Sequence, residues 1–412
     1  MPESTADGFH AAVTGLGMVT PAGIGVGESW RGICAGESAA AFDEELEGMP
    51  VDFTCRVPGF DADKLLGRRT AWRLDRYVHL ALVAAREAIA DAGLDPKTWD
   101  GTRVGVVMGN ALGGIATFEQ QHNTMLTEGA GKMSSMLIPM MGVNMVAGYI
   151  AIDCGAQGPN LVTTTACASA TTAIGTARDL LRSGRCDIVL AGGAEAGLTK
   201  PILAGFTRMG ALSGRIDEPG AASRPFEKDR DGFVAAEGAG ILVLERMAHA
   251  EARGARIRAR VSGYGASADA HHATAPDPSG AGVTTAIGSA LADAGLAPSD
   301  IDHVNAHGTS TPLNDAVEAK VLRRMFGDKP AVTSVKGVTG HSLGAAGAIE
   351  AACVVLSIEQ GMVPPTANLD SQDPAIDIDV VREKPRAMKV SAAMSNSFGF
   401  GGQNAVLVLT AN

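Results

Sequence analysis

Aromatic side chains are scarce in this 412-residue sequence: 11 Phe, 3 Tyr and 3 Trp, 4% of the chain. So thin a supply argues against a stacking platform for nucleic acid. Net positive charge is absent as well. The 34 Lys and Arg face 45 Asp and Glu, a formal charge of −11, which excludes a duplex-wide basic footprint. The six cysteines, at 34, 55, 154, 167, 186 and 353, form no CxxC pair and have no close histidine. Most of them are expected to be small buried hydrophobes. No run of 18 apolar residues occurs; the stretch 345–358 is interrupted by Glu350. Met1-Pro2-Glu3-Ser4 carries neither the basic n-region nor the apolar core of a secretory signal. These absences predict a soluble, cytoplasmic protein with no nucleic-acid or membrane partner.

Glycine, by contrast, is abundant. Its 52 copies are nearly twice the usual share of about 7%, and they let elements pack closely and let backbone approach a ligand. With 46% apolar and 19% charged residues the chain can bury a core. Its length suits two or three domains or one large α/β unit. Short β-branched runs alternate with alanine-rich stretches, the α/β pattern. Strands are expected at 12–15, 104–108, 160–165, 187–191, 240–244, 303–306, 332–335, 392–397 and 404–409. Helices are expected at 79–92, 168–181, 284–294, 315–326 and 344–360.

A weak repeat runs through the chain. Ala90-Asp91-Ala92-Gly93-Leu94 recurs as Ala292-Asp293-Ala294-Gly295-Leu296, each followed by a proline two residues on. Upstream, Val13-Thr14-Gly15-Leu16-Gly17 is echoed by Val261-Ser262-Gly263-Tyr264-Gly265. Further on, a strand, a chemically distinctive residue and an alanine-rich helix occur at 160–183 and again at 332–360. Two copies do not make a solenoid. Three echoes in one order predict an internal duplication, with halves 1–255 and 256–412 packed face to face.

Thr163-Thr164-Thr165-Ala166-Cys167-Ala168-Ser169-Ala170 ends one strand and opens a helix. Cys167 therefore falls at a helix N-terminus, where unpaired N–H groups and the positive dipole end favour a thiolate and can hold an oxyanion. Two histidines occupy comparable loops: His307 in Asn305-Ala306-His307-Gly308-Thr309-Ser310-Thr311-Pro312, and His341 in Lys336-Gly337-Val338-Thr339-Gly340-His341. In the internal alignment His341 falls near the place of Cys167. His303 and His79 read as structural, and His303 with His307 on a strand forms no helical metal clip. One thiol and two imidazoles suit a particular chemistry. The thiol captures an acyl group from a thioester, while two N–H donors stabilise an enolate at a second thioester carbonyl. The tail motif Ser397-Phe398-Gly399-Phe400-Gly401-Gly402-Gln403-Asn404 is not GxGxxG and precedes no helix. It reads as an apolar gate on a flexible hinge.

Together, Thr164–Ser169, Asn305–Pro312, Lys336–Gly344 and Asn396–Asn404 resemble the elongating β-ketoacyl-acyl-carrier-protein synthases, most closely type II. The resemblance extends essentially end to end and includes Ser223-Arg224-Pro225-Phe226 and Asp229-Arg230-Asp231-Gly232-Phe233. It implies a thiolase-like α/β fold, two duplicated βα halves in a layered αβαβα core, usually a homodimer. Cys167 becomes the acyl acceptor, with His307 and His341 polarising a malonyl thioester. Lys336 would pair with Glu350 beside His341. The Cys167 and Phe400 N–H groups would form the oxyanion hole. Thr309, Thr311 and Thr274 would meet the phosphopantetheine arm, and Phe398, Leu112 and Glu350 complete the substrate-side set. Met136, Met140, Met141 and Met145 would help build the acyl tunnel and dimer interface. No metal and no cofactor beyond that arm are implied. The partner is an acidic acyl carrier protein, for which Lys64, Arg68, Arg69, Arg73 and Arg208 offer a basic landing site. A ketosynthase subunit of a type II polyketide pathway would share every catalytic residue. A degradative thiolase fits less well, because Phe400 stands where it would carry a second cysteine. A chain-initiating synthase fits less well too, because His341 stands where it would carry asparagine.

Overall fold

The computed structural model describes residues 9–412, so Met1–Ser4, read above for a signal, lie outside it. A single mixed sheet of eleven strands runs through the described residues. Its first half holds β1 (Ala11–Thr20), β2 (Val104–Gly109), β3 (Asn160–Thr163), β4 (Ile188–Glu195) and β5 (Gly238–Arg246). Its second half holds β6 (Ala259–Ala268), β7 (His303–Asn305), β8 (Ala331–Thr333), β9 (Ala392–Gly399) and β10 (Gln403–Thr410). The short Gly23–Ile24 strand pairs with the end of β1.

From the middle outward the order is β1-β5-β4-β2-β3 one way and β6-β10-β9-β7-β8 the other. Each strand thus corresponds to the one five places later. Strand directions agree as well: β2 is parallel to β3 and β4 as β7 is to β8 and β9. The β4–β5–β1 and β9–β10–β6 runs are both antiparallel. A short antiparallel ladder, Ala11 to Val13 against Val261 to Ala259, joins the halves.

Six helices matter for the layering: α1 (Arg76–Asp91), α2 (Ile115–Glu128), α3 (Ser169–Arg182), α4 (Ala281–Ala294), α5 (Pro312–Phe326) and α6 (Ala346–Gln360). α1 covers β1 and β5 on one outer face, and α4 covers β6 and β10 on the other. The repeated glycines explain how. A Cβ on Gly15 would strike Ala88 of α1 and Ala92 at its C-terminal end, and one on Gly263 would strike Ala290 and Ala294 of α4. Strand and helix backbones touch there, which only glycine permits. Between the sheet halves, α3 and α6 pack on each other and on strands from both sides. The result is the helix–sheet–helix–sheet–helix layering.

Every residue of α6 from Ala346 to Ser357 is buried, which accounts for its apolarity all round. Leu343–Gln360 is long and apolar enough to cross a membrane by composition, yet 83% of it is buried inside the protein. It is a core element.

Several boundaries differ from the sequence reading. β3 stops at Thr163 rather than 165, because the chain turns out of the sheet at Thr165 and Ala166. α1 starts at Arg76, capped by the Asp75 carboxylate accepting from the Tyr77 N–H at 3.3 Å. β6 was visible only as an echo of β1. α2 was not foreseen: Thr117 is its one buried residue, so it shows no apolar stripe facing this chain's core. Residue 255 lies in the link between the Met247–Ala252 helix and β6.

Candidate active site

The turn after β3 is unusual. Ala166 has φ 49, a left-handed conformation that costs a non-glycine residue roughly 1–2 kcal/mol. Ser169 holds it in place: its hydroxyl donates to the Ala166 carbonyl at 2.6 Å and accepts from the Thr165 N–H at 2.9 Å. Cys167 rides on this elbow in a single 3₁₀ turn, directly before α3. The second half repeats the device. Leu343 has φ 45, a 3₁₀ turn follows at Leu343–Ala345, and α6 starts at Ala346. By position Gly344, not His341, is the counterpart of Cys167, and His341 stands three residues ahead of it.

The elbow opens on a cavity of about 700 Å³. His341 is fixed by its backbone, donating to the Val234 carbonyl at 2.8 Å and accepting from the Ala236 N–H at 3.1 Å. The Phe233 ring packs edge-on against its imidazole, 5.3 Å between centroids. His307 follows β7. Its N–H and that of Gly308 donate to the two oxygens of Glu318, both at 2.8 Å. Its carbonyl accepts from the Lys336 ammonium at 2.7 Å. Lys336 is ion-paired with Glu350 beneath the cavity, the two side chains 2% and 1% exposed. Ser223 donates to the Lys336 carbonyl at 2.6 Å, which ties the Ser223-Arg224-Pro225-Phe226 segment to the same floor.

The imidazoles of His307 and His341 lie 5.4 Å apart at 84°. The Cys167 sulfur and one nitrogen of each ring all lie within 4.8 Å of one another. Both nitrogens of His341 and Nδ1 of His307 are buried without a hydrogen-bond partner. Buried polar atoms ordinarily find partners, so unmatched imidazole nitrogens beside one thiol mark a place for a substrate's polar atoms.

Electrostatics define the resting state. Burial pushes the Cys167 thiol up to about 11, and the Lys336 charge and the Phe400 N–H offset this only in part. Burial, with Lys336 adding repulsion, holds both histidines well below the ordinary imidazole value. The helix end predicted a thiolate. Burial works against it at Cys167, and disfavours the charged form of both imidazoles.

The tail motif is a hairpin turn: Gly399 pairs with Gln403, leaving Phe400-Gly401-Gly402 between β9 and β10. Gly401 and Gly402 have φ 82 and 70. The Gly401 N–H donates to the Ala273 carbonyl at 2.7 Å, which couples this turn to the 269–276 loop at the cavity mouth. The Phe400 N–H reaches the Cys167 sulfur. Phe398 packs its edge on His307 at 5.7 Å.

A model described as beta-ketoacyl synthase, N-terminal domain, matches residues 10–250, and its C-terminal counterpart matches 258–370. The chain belongs to the β-ketoacyl synthase family. It is 44% identical over 405 residues to a 3-oxoacyl-[acyl-carrier-protein] synthase 2 of Synechocystis, covering 97% of each chain. A namesake from Coxiella burnetii is 42% identical over 97% of this chain and 98% of its own. Among solved structures, a beta-ketoacyl synthase from Burkholderia phymatum has a TM-score of 0.92 at 35% identity, covering 98% of this chain and all of its own. A type II polyketide ketosynthase, solved with its acyl-carrier protein and bound to a hexaketide, has a TM-score of 0.91 at 34% identity over the same shares.

Within this ketosynthase fold, the structure brings Cys167, His307, His341, Leu112, Thr274, Thr309, Thr311, Phe398 and Phe400 around one cavity. The Thr309 and Thr311 hydroxyls are 2.9 Å apart. Lys336 pairs with Glu350 as expected, and the substrate-side place expected of Glu350 is the one correction. Neither lines the cavity; both lie under it, where Lys336 positions His307 and Glu350 cannot meet a substrate directly. Arg208 ends the Lys200–Arg208 helix, next to Met209 on the cavity wall. Lys64, Arg68, Arg69 and Arg73 are exposed and do not line it; Arg73 lies over the Trp72 ring at 5.0 Å. Met136, Met140, Met141 and Met145 are half-buried outside it. His303 is structural, its Nδ1 2.8 Å from the Ala331 carbonyl oxygen and its pKa lowered to about 4 by burial. His79 likewise contacts the Ala71 carbonyl oxygen, at 2.8 Å. All six cysteines are unpaired.

Three residues escaped the sequence reading. Glu318 orients the His307 loop, and only its place in the helix directly after that loop hinted at it. Phe233 braces His341. Glu195, at the end of β4, accepts from the Ala111 N–H at 2.8 Å, the Leu112 N–H at 3.3 Å and the Gly344 N–H at 3.2 Å.

Proposed function

We propose that this enzyme lengthens an acyl chain held on Cys167 by decarboxylative condensation with malonyl-acyl-carrier protein, giving a 3-oxoacyl-acyl-carrier protein two carbons longer. The observation that carries the reading is the convergence of one thiol and two unmatched neutral imidazoles within 4.8 Å in an apolar cavity. The names of its relatives, which cover nearly the whole chain at 41–44% identity, support it.

In the first half-reaction the Cys167 sulfur attacks the thioester carbonyl of the acyl-carrier protein. The carbonyl oxygen gains negative charge, and the N–H groups of Cys167 and Phe400 hold it. The carbon–sulfur bond to the phosphopantetheine breaks, and the departing sulfur takes up the proton that Cys167 gives up. In the second, the malonyl carboxylate leaves as carbon dioxide. Its carbon–carbon bonding pair becomes an enolate whose oxygen accepts from the His307 and His341 N–H groups. Neutral imidazoles suit this, because each keeps a proton to donate without a strong base being needed. The enolate carbon attacks the acyl-Cys167 carbonyl, the carbon–sulfur bond breaks, and the released thiolate takes a proton from solvent. No cofactor beyond the carrier's arm enters these steps. A cytoplasmic location fits the six free thiols.

The carrier is read as acidic, docking on Lys64, Arg68, Arg69, Arg73 and Arg208 by charge complementarity. A homodimer is supported by an open sheet edge and by exposed apolar side chains. β3 is an edge strand with Leu161 43% exposed, and Leu126, Ile138 and Ile152 are 68–74% exposed nearby in sequence. Open edges and apolar patches of this kind ordinarily mark an interface. Curated relatives named 3-oxoacyl-[acyl-carrier-protein] synthase 2, at 41–44% identity over nearly the whole chain, support fatty-acid elongation over the polyketide reading.

Intact-mass measurement after mixing with acyl-carrier protein, then malonyl-carrier protein, tests the mechanism. The expected result is an acyl adduct that vanishes in Cys167→Ala, followed by a product two carbons longer. In His307→Ala and His341→Ala the adduct persists and condensation falls by about 10²–10³. No adduct on the wild type would refute the mechanism.

A further inference from the structure

Cys167, His307 and His341 are all buried, and the sulfur and one nitrogen of each ring lie within 4.8 Å of one another. Thiolate and imidazole together are a donor set of zinc, which takes sulfur at about 2.3 Å and nitrogen at about 2.0–2.1 Å in a tetrahedron. Those lengths put ligand atoms roughly 3.3–3.6 Å apart, so the three atoms need to close by at most about 1.5 Å. Little resists that movement. Nδ1 of both rings and Nε2 of His341 have no hydrogen-bond partner, so a ring turns without breaking one of these bonds. Phe233 and Phe398 touch the rings edge-on. Lys336, the cation beneath, is already neutralised by Glu350.

We propose that Cys167, His307 and His341 form a reversible site for a thiophilic divalent cation, zinc, which switches the enzyme off by occupying its thiol and both imidazoles together. On binding, the Cys167 S–H bond breaks, its electron pair forms the sulfur–zinc bond, and the proton passes to solvent. Each imidazole keeps one ring proton and gives the lone pair of its other nitrogen. Nothing is oxidised or reduced, and a chelator reverses the step. The fourth position faces the cavity and is left to water. A metal-bound histidine ordinarily donates its second nitrogen to a carboxylate, a carbonyl or water, a support worth about 10–100-fold in affinity. His341 has no such partner at either nitrogen, which suits an exchangeable inhibitor rather than a resident metal. The site stands on the geometry of the three side chains, while the loss of turnover rests on the elongation reading above.

The test labels the full-length wild type with iodoacetamide in zinc-buffered solution and reads alkylation of Cys167 by peptide mass. Zinc should slow it, about tenfold at ten times the half-effective concentration. A chelator should restore the rate, and magnesium, which prefers oxygen ligands, should give no protection. Cobalt(II) reports the ligands. The wild type should show a thiolate-to-cobalt charge-transfer band, Cys167→Ala should lose it, and Cys34→Ala, which alters a half-buried thiol outside the cavity, should keep it. His341→Ala should raise the half-effective zinc concentration at least about tenfold. Undiminished labelling at millimolar zinc, or an unchanged cobalt band in Cys167→Ala, overturns the proposal. Protection by zinc in a wild type that forms no acyl adduct leaves the metal site standing and refutes the elongation reading instead.

Discussion

Replacing Lys336 by methionine removes the cation paired with Glu350 in the middle of the molecule. Methionine nearly conserves volume, so the main effect is electrostatic. Breaking a buried pair by deleting one partner costs roughly 3–5 kcal/mol, because the remaining charge is uncompensated. The lost hydrogen bond from a charged donor to the His307 carbonyl accounts for roughly 1.5–3 kcal/mol of its own. The two overlap, and about 4–6 kcal/mol is expected near neutral pH. Burial already raises the Glu350 pKa, and Lys336 opposes that rise. Without Lys336 the folded carboxyl stays protonated well above the unfolded value of about 4.3. The folded state then holds a proton that the unfolded chain has released. Stability of the variant therefore falls as pH rises, by up to about 1.4 kcal/mol per unit, until the folded pKa is passed. Urea unfolding at one protein concentration, at about pH 5.5 and about pH 8, measures this directly. The deficit should be larger at the higher pH, and Glu350→Gln in the same background should recover more than half of it. A deficit below about 1 kcal/mol, or one identical at both pH values and unmoved by Glu350→Gln, would refute the reasoning.

Cys167, with its thiol near 11, should react with iodoacetamide at a rate that climbs by nearly tenfold per pH unit between about pH 7 and 10. A plateau beginning below about pH 8 would show a thiolate instead. Lys336→Met should slow that reaction further at any one pH, since the charge that lowers the thiol's pKa is gone. Arg68→Glu with Arg69→Glu should raise KM for carrier-borne substrate about tenfold at low salt, with the gap narrowing at high salt. An unchanged KM at low salt removes the basic cluster from docking. Leu161→Arg, on the open edge of β3, should convert a two-chain sedimenting species to a single chain; a single chain already in the wild type rules out the dimer.

Much of the architecture was legible because the duplication left its marks at contact points. Gly15 and Gly263 had to remain glycine where strands cross α1 and α4, and so the echo survived in the sequence. Cys167 and the two histidine loops were legible because strand ends followed by glycine-rich loops have few other uses. What stayed hidden depends on the third dimension. Glu318 and Glu195 look like ordinary acids on a helix and a strand end, and only the folded chain aims them at backbone N–H groups of distant loops. The balance that sets the protonation of Cys167 is hidden for the same reason. A helix N-terminus can be seen in sequence, whereas the depth of burial that overrides it cannot. The resemblance put Glu350 on the substrate side, since a shared motif does not distinguish the floor of a cavity from its wall.

The position of α3 between the two sheet halves bears on how the protein is made. Residues 1–255 leave the ribosome first, and they include α3, with Ile174 and Ala177 fully buried in the finished protein. Their cover comes partly from α6, β6 and β10, all translated later. At roughly 5–20 residues per second, the remaining 157 residues need about 8–30 s. For that interval the face of α3 turned toward the second half is open to water and to neighbouring chains. Slow stretches of translation after residue 255 should therefore raise aggregation more than those before β4, and a chaperone that shields one helical face would act on this enzyme during synthesis rather than after it.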